Sequence, residues 1–252
     1  MSDHDFRRDL IAFIPPLRAF AISLTGKVDR ADDLVQETLL KAWANRESFE
    51  PGTKLKAWLF TILRNDPHIP GAVETVCQPG HQQVAAGYVL YGSSTVFVIT
   101  TGHGVHMFEL DAAVGSFMLV KRDLQMPSKK KIYSVNEANS DGFPKGFQDY
   151  LKWAHAEGYS SRYIGSMVAD IHRTLLNGGV FLYPPTKKHP NGKLRLLYEA
   201  NPMSFLVEQA GGTSLTADGR RTMDLRPREL HERVPLVLGS RDEVAAVAKF
   251  VK

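Results

Sequence analysis

Residues 161–203 organise this chain and read Ser161-Arg-Tyr-Ile-Gly-Ser-Met-Val-Ala-Asp-Ile-His-Arg-Thr-Leu-Leu-Asn-Gly-Gly-Val-Phe-Leu-Tyr-Pro184, then Pro185-Thr-Lys-Lys-His-Pro-Asn-Gly-Lys-Leu-Arg-Leu-Leu-Tyr-Glu-Ala-Asn-Pro-Met203. Four residues at helical spacing predict a helix over residues 165–176: Met167, Ile171, Thr174 and Leu175. Gly178-Gly179 ends that helix, because glycine takes the left-handed cap conformation without strain. A buried strand over residues 180–183 follows. Asn201-Pro202 then opens a second helix, as N-cap and first-turn proline.

The polar residues of this segment lie where the predicted elements begin and end. Arg162 and Tyr163 precede the first helix, Tyr183 closes the strand, Lys193 follows a turn, and Glu199 precedes the second helix. Side chains at loop ends on a rigid scaffold are common binding residues. Two cations, two phenols and a carboxylate suit a polyanionic substrate whose reaction is assisted by a metal ion, and phosphate esters are the obvious class. The cations at positions 187, 188 and 195 are interpreted as a solvated face.

Three blocks carry a resemblance to a known family: Arg-Tyr-Ile-Gly-Ser-Met-Val-Ala-Asp at 162–170, Gly-Gly-Val-Phe-Leu-Tyr-Pro at 178–184, and Asn-Gly-Lys-Leu-Arg-Leu-Leu-Tyr-Glu at 191–199. They resemble the carboxyl-terminal half of a class I fructose-1,6-bisphosphatase, from about Gln78 to the end of the chain. The resemblance implies a magnesium-dependent phosphatase of gluconeogenesis that hydrolyses fructose 1,6-bisphosphate to fructose 6-phosphate and phosphate. It also implies a homotetramer.

The same resemblance implies roles for particular side chains. It assigns the substrate contacts to Asn136, Arg162, Tyr163, Tyr183 and Lys193, with Arg162 reaching the site of a neighbouring subunit. It assigns a Mg²⁺-ligating carboxylate to Glu199.

Most of the metal-binding carboxylates that the family implies are missing. In the family they come from an Asp-Pro-Leu-Asp-Gly-Ser block and a glutamate pair, and this sequence contains neither. Hydrolysis at a magnesium site needs several oxygen ligands around the ion. Between the two recognisable segments only Asp66 and Glu74 carry carboxylates. The sequence therefore predicts that binding of a sugar bisphosphate survives better than its hydrolysis.

Residues 1–65 form a different kind of sequence, with three apolar stripes at helical spacing that predict a small three-helix all-α segment. Pro15-Pro16 must interrupt or kink the first helix. The blocks at 29–43 (Asp-Arg-Ala-Asp-Asp-Leu-Val-Gln-Glu-Thr-Leu-Leu-Lys-Ala-Trp) and 51–65 (Pro-Gly-Thr-Lys-Leu-Lys-Ala-Trp-Leu-Phe-Thr-Ile-Leu-Arg-Asn) resemble region 2 of an extracytoplasmic-function sigma factor. This resemblance implies RNA polymerase and promoter DNA as partners of residues 1–65, and it is the rival interpretation of the chain.

Two interpretations of this helical segment stay open. Its cations at positions 54, 56 and 64 can hold phosphate, and an aromatic side chain can stack on a flipped base. Alternatively Trp43, Trp58 and Phe60 are core residues. The second, DNA-reading module of a sigma factor is absent from the sequence.

Composition narrows the class of protein. The 252 residues carry a net charge of +4, and the hydrophobic content of 43% is ordinary for a globular protein. Residues 1–66 hold ten basic and ten acidic residues, so they carry no basic excess for nucleic acid. The single cysteine suits a reducing cytoplasm. No apolar run approaches the length of a membrane span.

From Val84 onward the pattern predicts an antiparallel meander followed by alternating helices and strands. The expected fold is α/β, an incomplete layered sugar-phosphatase-like domain at 78–252, joined by a loop at 66–77 to the helical segment at 1–65. Residues 240–243 are expected to form a capping box at the last helix. Half of the phosphatase fold is expected to be missing, so exposed apolar faces should drive association into oligomers or aggregates.

Overall fold

The structure is a computed structural model that describes residues 3–49, 54–64 and 76–251. The chain divides into two compact units, Met1–Val76 and Cys77–Lys252. Most of the predicted connecting loop, with Asp66 and Glu74, lies outside the described residues. None of the helices described is both long and apolar enough to cross a membrane.

The first unit is helical, with α1 at Asp3–Ala12, α2 at Ile14–Thr25, α3 at Val28–Ala44 and α4 at Leu55–Arg64. The first predicted helix is thus two helices, because the proline pair can occupy only the first turn of α2. Gly26, with φ +64°, ends α2. Leu17, Leu34, Leu59 and Leu63 lie in its core.

The second unit begins with a four-stranded antiparallel sheet in the order β1-β2-β3-β4. Its strands are β1 at Ala86–Tyr91, β2 at Thr95–Thr100, β3 at Val105–Asp111 and β4 at Ser116–Lys121. The predicted meander is therefore present. Alternate residues of β1 to β3 point inward, and Tyr88, Val98 and Val105 are buried.

A mixed five-stranded sheet in the order β6-β5-β7-β11-β9 forms the centre of the unit. Its strands are β5 at Ile132–Ser134, β6 at Ser160–Ser161, β7 at Val180–Tyr183, β9 at Thr213–Leu215 and β11 at Leu236–Gly239. β5 runs parallel to both β6 and β7, whereas β11 is antiparallel to β7 and β9. A small antiparallel pair joins β8 at Leu194–Arg195 to β10 at Arg233–Val234.

Helices cover the two faces of the central sheet. Val180 and Leu182 share one core with α5 (Lys145–Ala156) and α8 (Arg241–Ala248). Phe181 and Leu238 share a second core with α6 (Met167–Asn177), α7 (Asn201–Gln209) and the inner face of the four-stranded sheet. The layers are helix, sheet, helix and sheet, which confirms the predicted α/β class.

Two cap predictions are wrong. Ala200, not Asn201, is the N-cap of α7, because a single π-helical turn at Leu196–Ala200 runs directly into that helix. Ser240 and Glu243 form no capping box. The Ser240 hydroxyl accepts from the Gly179 N–H at 3.0 Å, and Glu243 accepts from the Lys130 N–H at 3.0 Å. Both side chains tie distant segments together instead.

Candidate functional site

Three neighbouring parallel strands bring predicted site residues to one edge of the central sheet. Arg162 and Tyr163 directly follow β6, Asn136 follows β5 by two residues, and Tyr183 closes β7. The parallel pairing of β5 with β6 and β7 places all three carboxyl ends at the same edge. In open α/β sheets, ligands bind at this edge.

A cavity of about 170 Å³ lies among these elements. Its lining includes four of the six predicted site residues: Tyr163, Tyr183, Lys193 and Glu199. Arg195, interpreted from the sequence as part of a solvated face, also lines it, and its side chain is 39% exposed. Hydrophobic walls come from Met167, Phe181 and Leu194. The cavity combines apolar walls with a few convergent polar groups, as small-molecule sites do.

Asn136 and Arg162 are not among the residues that line this cavity. The Asn136 side chain accepts from the Ala138 N–H at 3.2 Å and caps a short 3₁₀ helix, Glu137–Gly142. The backbone N–H of Arg162 donates to the Tyr133 carbonyl at 2.9 Å, and its exposed guanidinium donates to the Ser161 carbonyl at 2.9 Å. The predicted substrate roles of both side chains stay predictions.

The two tyrosines of the cavity are hydrogen-bond donors at neutral pH. Burial raises the pKa of Tyr163, and the nearby Tyr183 and Asp170 raise it further. Burial also raises the pKa of Tyr183, with an added contribution from the negative charge of Glu199. A phenol with a raised pKa keeps its proton, so both hydroxyls can donate to an oxyanion.

The turn before Lys193 holds that residue at the cavity. Gly192 has φ +81°, and a Cβ there would lie 2.3 Å from the carbonyl carbon of Val234. Only glycine fits this conformation and this close backbone approach. The Arg233 guanidinium donates to the Lys193 carbonyl at 2.6 Å. These contacts fix the backbone that presents the ammonium group.

A buried aspartate that sequence reasoning missed supports the loop carrying Tyr163. Asp170 is fully buried in α6. Its carboxylate accepts from the Ile164 N–H at 3.1 Å, the Gly165 N–H at 3.2 Å and the Ser134 hydroxyl at 2.8 Å. Arg173 donates to it at 3.0 Å. One sequence signal was available, because Asp170 lies on the same helical face as the predicted apolar stripe.

The described residues do not fit a magnesium site. Glu199 is the one carboxylate among the side chains that line the cavity, and it accepts from the Arg195 N–H at 2.7 Å. No cluster of three His, Cys, Asp or Glu side chains able to hold a metal ion occurs in residues 3–49, 54–64 and 76–251. Mg²⁺ requires near-octahedral oxygen coordination. The predicted role of Glu199 as a metal ligand stays a prediction.

In the helical unit, two of the three aromatic residues considered above pack against the core. Trp58 and Phe60 are partly buried and pack against the core, and the rings of Phe49 and Trp58 lie 5.3 Å apart. Trp43 is more exposed, at 37%, with the Arg46 guanidinium 5.1 Å from its ring centre. Lys54 and Arg64 are exposed.

Protein-family models match both parts of the chain. The model "Fructose-1-6-bisphosphatase, C-terminal domain" matches residues 126–252, and "Fructose-1-6-bisphosphatase, N-terminal domain" matches residues 57–122. The phosphatase match thus begins well before Gln78 and is not confined to a carboxyl-terminal half. The model "Sigma2 domain of PhyR" matches residues 10–64, so residues 57–64 match two families.

Curated relatives and solved structures agree with the phosphatase models. The proteins named fructose-1,6-bisphosphatase class 1 from Chlorobium chlorochromatii (strain CaD3) and Chlorobaculum parvum are 48% and 53% identical, over 198 and 200 residues. Each match covers 76% of this chain and 59% or 60% of the relative, so the chain spans about three-fifths of their length. Leishmania major fructose-1,6-bisphosphatase in its holo form has a TM-score of 0.70 at 43% identity, covering 74% of this chain and 58% of that one. The chain belongs to the fructose-1,6-bisphosphatase family.

Proposed function

We propose that this chain is a class I fructose-1,6-bisphosphatase-type protein that binds a sugar bisphosphate but hydrolyses it poorly or not at all. One observation carries the proposal. The cavity, lined by the loop after β6, by β7 and by residues 193–199, gathers Tyr163, Tyr183 and Lys193 but contributes a single carboxylate, Glu199. The class 1 relatives support the choice of family member and of fructose 1,6-bisphosphate as substrate.

The chemistry separates binding from hydrolysis. The Lys193 ammonium and the hydroxyls of Tyr163 and Tyr183 supply charge-assisted and neutral donors for phosphate oxygens. Transfer of the phosphoryl group also needs developing charge to be neutralised and a water to be activated. Mg²⁺ is the cofactor that the family resemblance implies, and one carboxylate in the cavity does not make its site. We therefore assign the described residues to binding and positioning.

Calorimetric titration of the full chain with fructose 1,6-bisphosphate tests the binding part. We expect weak binding that falls about tenfold or more in Lys193→Ala, because a hydrogen bond to a charged group contributes about 1.5–3 kcal/mol. Arg162→Ala together with Lys193→Ala should abolish it. Lys188→Ala is the matched control, an exposed lysine outside the cavity lining. Equal losses in Lys188→Ala and Lys193→Ala would contradict the assignment of the cavity.

Phosphate release with and without Mg²⁺ tests the hydrolysis part on the same preparation. We expect no magnesium-dependent release above background. Magnesium-dependent turnover that Glu199→Gln abolishes would show that the metal set is completed by carboxylates outside the described residues, with Asp66 and Glu74 as the candidates.

Assembly and location belong to the same proposal. A homo-oligomer, a tetramer in the family, is supported by the family match, and Arg162 is then the residue that reaches a neighbouring subunit's site. A cytoplasmic location is supported by the single free cysteine, Cys77, which is buried. Sedimentation velocity of the purified chain measures the assembly directly.

A second candidate function rests on the match of residues 10–64 to the sigma2 model. In this alternative, residues 1–65 bind RNA polymerase and promoter DNA, and the phosphatase-like unit has no role in transcription. A polymerase pull-down with the full chain separates the two proposals. Retention of polymerase together with promoter-specific binding, and no binding of fructose 1,6-bisphosphate, would favour the sigma-type function.

A further inference from the structure

The loop that carries Tyr163 is anchored through its backbone. The N–H groups of Ile164 and Gly165 donate to the Asp170 carboxylate at 3.1 and 3.2 Å. On the other side of Tyr163, the Arg162 N–H is bonded to β5. The Tyr163 side chain is 40% exposed, and in the part of the chain that the structure describes no hydrogen bond reaches its hydroxyl. The backbone anchors therefore decide where this hydroxyl lies relative to the cavity.

The same carboxylate reaches a second element of the site. Ser134, fully buried on β5, donates its hydroxyl to Asp170 at 2.8 Å. Asn136, another predicted substrate contact, follows Ser134 by two residues. Asp170 itself lies in the first turn of α6, where Arg173 donates to it at 3.0 Å. One buried carboxylate thus joins β5, the Tyr163 loop and α6.

Charge and hydrogen bonding at this position act in opposite directions on a bound phosphate. A negative charge near the cavity disfavours a phosphate, so removing it from Asp170 would by itself tighten binding. An asparagine, however, would turn an NH₂ group toward some of these donors and release the loop. The sign of the change in affinity therefore tells which of the two effects dominates.

We propose that Asp170 is a positioning residue for the sugar phosphate, placing the Tyr163 hydroxyl at the cavity by holding the N–H groups of Ile164 and Gly165. The inference rests on the proposed function, because it gives Asp170 a part in the same binding site. Asp170 is not among the residues that line the cavity, so it acts through the loop and does not touch the ligand.

Calorimetric titration of the full chain with fructose 1,6-bisphosphate tests this role. We expect Asp170→Asn to raise the dissociation constant about tenfold, as Tyr163→Phe does, because each removes the bond from that hydroxyl to a phosphate. The double variant should bind as Tyr163→Phe alone does, since no hydroxyl is left to position. Losses that multiply in the double variant would overturn the inference, as would tighter binding by Asp170→Asn.

Glu243→Gln is the matched control for lost stability. Glu243 is 1% exposed and accepts from the Lys130 N–H at 3.0 Å and the Tyr159 hydroxyl at 2.7 Å. Lys130 precedes β5, so this carboxylate is used at the end of the strand opposite to Asn136. Both variants should melt at a lower temperature than the wild type, but Glu243→Gln should leave the dissociation constant unchanged. An equal rise of the constant in both variants would show that lost stability, and not positioning, weakens binding.

A second variant carries the test if Asp170→Asn does not fold. Ser134→Ala keeps the carboxylate and its charge and removes one donor to it. It should raise the dissociation constant about threefold, and it should have no effect when Tyr163 is already phenylalanine. An unchanged constant in Ser134→Ala would then count against the inference.

Hydrogen exchange of the ligand-free chain measures the loop without any ligand. Residues 162–165 should exchange about tenfold faster in Asp170→Asn than in the wild type, whereas Glu243→Gln should leave them unchanged. A wild-type chain that does not bind fructose 1,6-bisphosphate would refute the proposed function, and the exchange then decides whether Asp170 holds the Tyr163 loop. Equal exchange of residues 162–165 in the wild type and Asp170→Asn would refute that role.

Discussion

Replacing Asp170 by asparagine should destabilise the phosphatase-like unit far more than an isosteric change in a helix normally does. Every contact of the carboxylate is with a donor: two backbone N–H groups, the Ser134 hydroxyl and the Arg173 guanidinium. An asparagine NH₂ group would face donors on one side and lose those bonds. The change also leaves the guanidinium of Arg173, which is 18% exposed, without its counter-charge.

Breaking one partner of a buried ion pair costs about 3–5 kcal/mol. For a unit of this size each kcal/mol lowers the melting temperature by about 2–4 °C, so the expected drop is roughly 6–20 °C. Differential scanning calorimetry of the full chain is the assay, with the transition of the helical unit as an internal reference. Asp149→Asn is the matched control, because Asp149 forms a surface pair with Lys145 that contributes little. Similar melting temperatures for the two variants would refute the reasoning.

Three further outcomes are expected. Gly192→Ala should destabilise the unit by several kcal/mol more than Gly219→Ala, because both have φ near +80° but a Cβ at Gly219 meets nothing within 4 Å. Burial raises the pKa of Tyr133 to about 12, so the contribution of its protonated hydroxyl to the free energy of unfolding is complete below about pH 10 and is lost as the pH rises to about 12. In chemical unfolding, Tyr133→Phe should therefore lose less of that free energy across this range than the wild type. In calorimetry with a metal chelator, Glu199→Gln should bind fructose 1,6-bisphosphate about threefold to tenfold more tightly, since a negative charge leaves the cavity; weaker binding would contradict the assignment.

The helices, strands and apolar faces could largely be predicted from local patterns. The stripe from Met167 to Leu175 becomes α6, and residues 180–183 become β7 with the predicted bounds. Local periodicity suffices there because each element buries one face of a regular repeat. Polar residues were also predicted to lie at the ends of elements. The parallel pairing of β5 with β6 and β7 brings the ends of these strands together.

The supports of the site could not be predicted, because they join residues far apart in the chain. Asp170 lies 36 positions from Ser134, and Glu243 lies 113 positions from Lys130. Ser240 and Glu243 have the spacing of a local cap, yet their oxygens are used by backbone N–H groups brought near by the sheet. A spacing rule describes what a side chain can reach along its own helix, and it carries no information about what the fold places beside it.

Helix α4 shows the same limit at the level of a whole segment. Residues 57–64 match both the sigma2 model and the phosphatase N-terminal model. A short apolar run is compatible with a buried strand or a buried helix, so its own pattern does not decide between them. In a strand, residues 59, 61 and 63 would share one face. Here Leu59 and Leu63 are fully buried while Thr61 is exposed and donates to the Ala57 carbonyl at 2.9 Å, one helical turn earlier. Leu59 and Leu63, one helical turn apart, share a core with residues of α2 and α3. In this chain the segment is therefore a helix, whichever family its residues resemble.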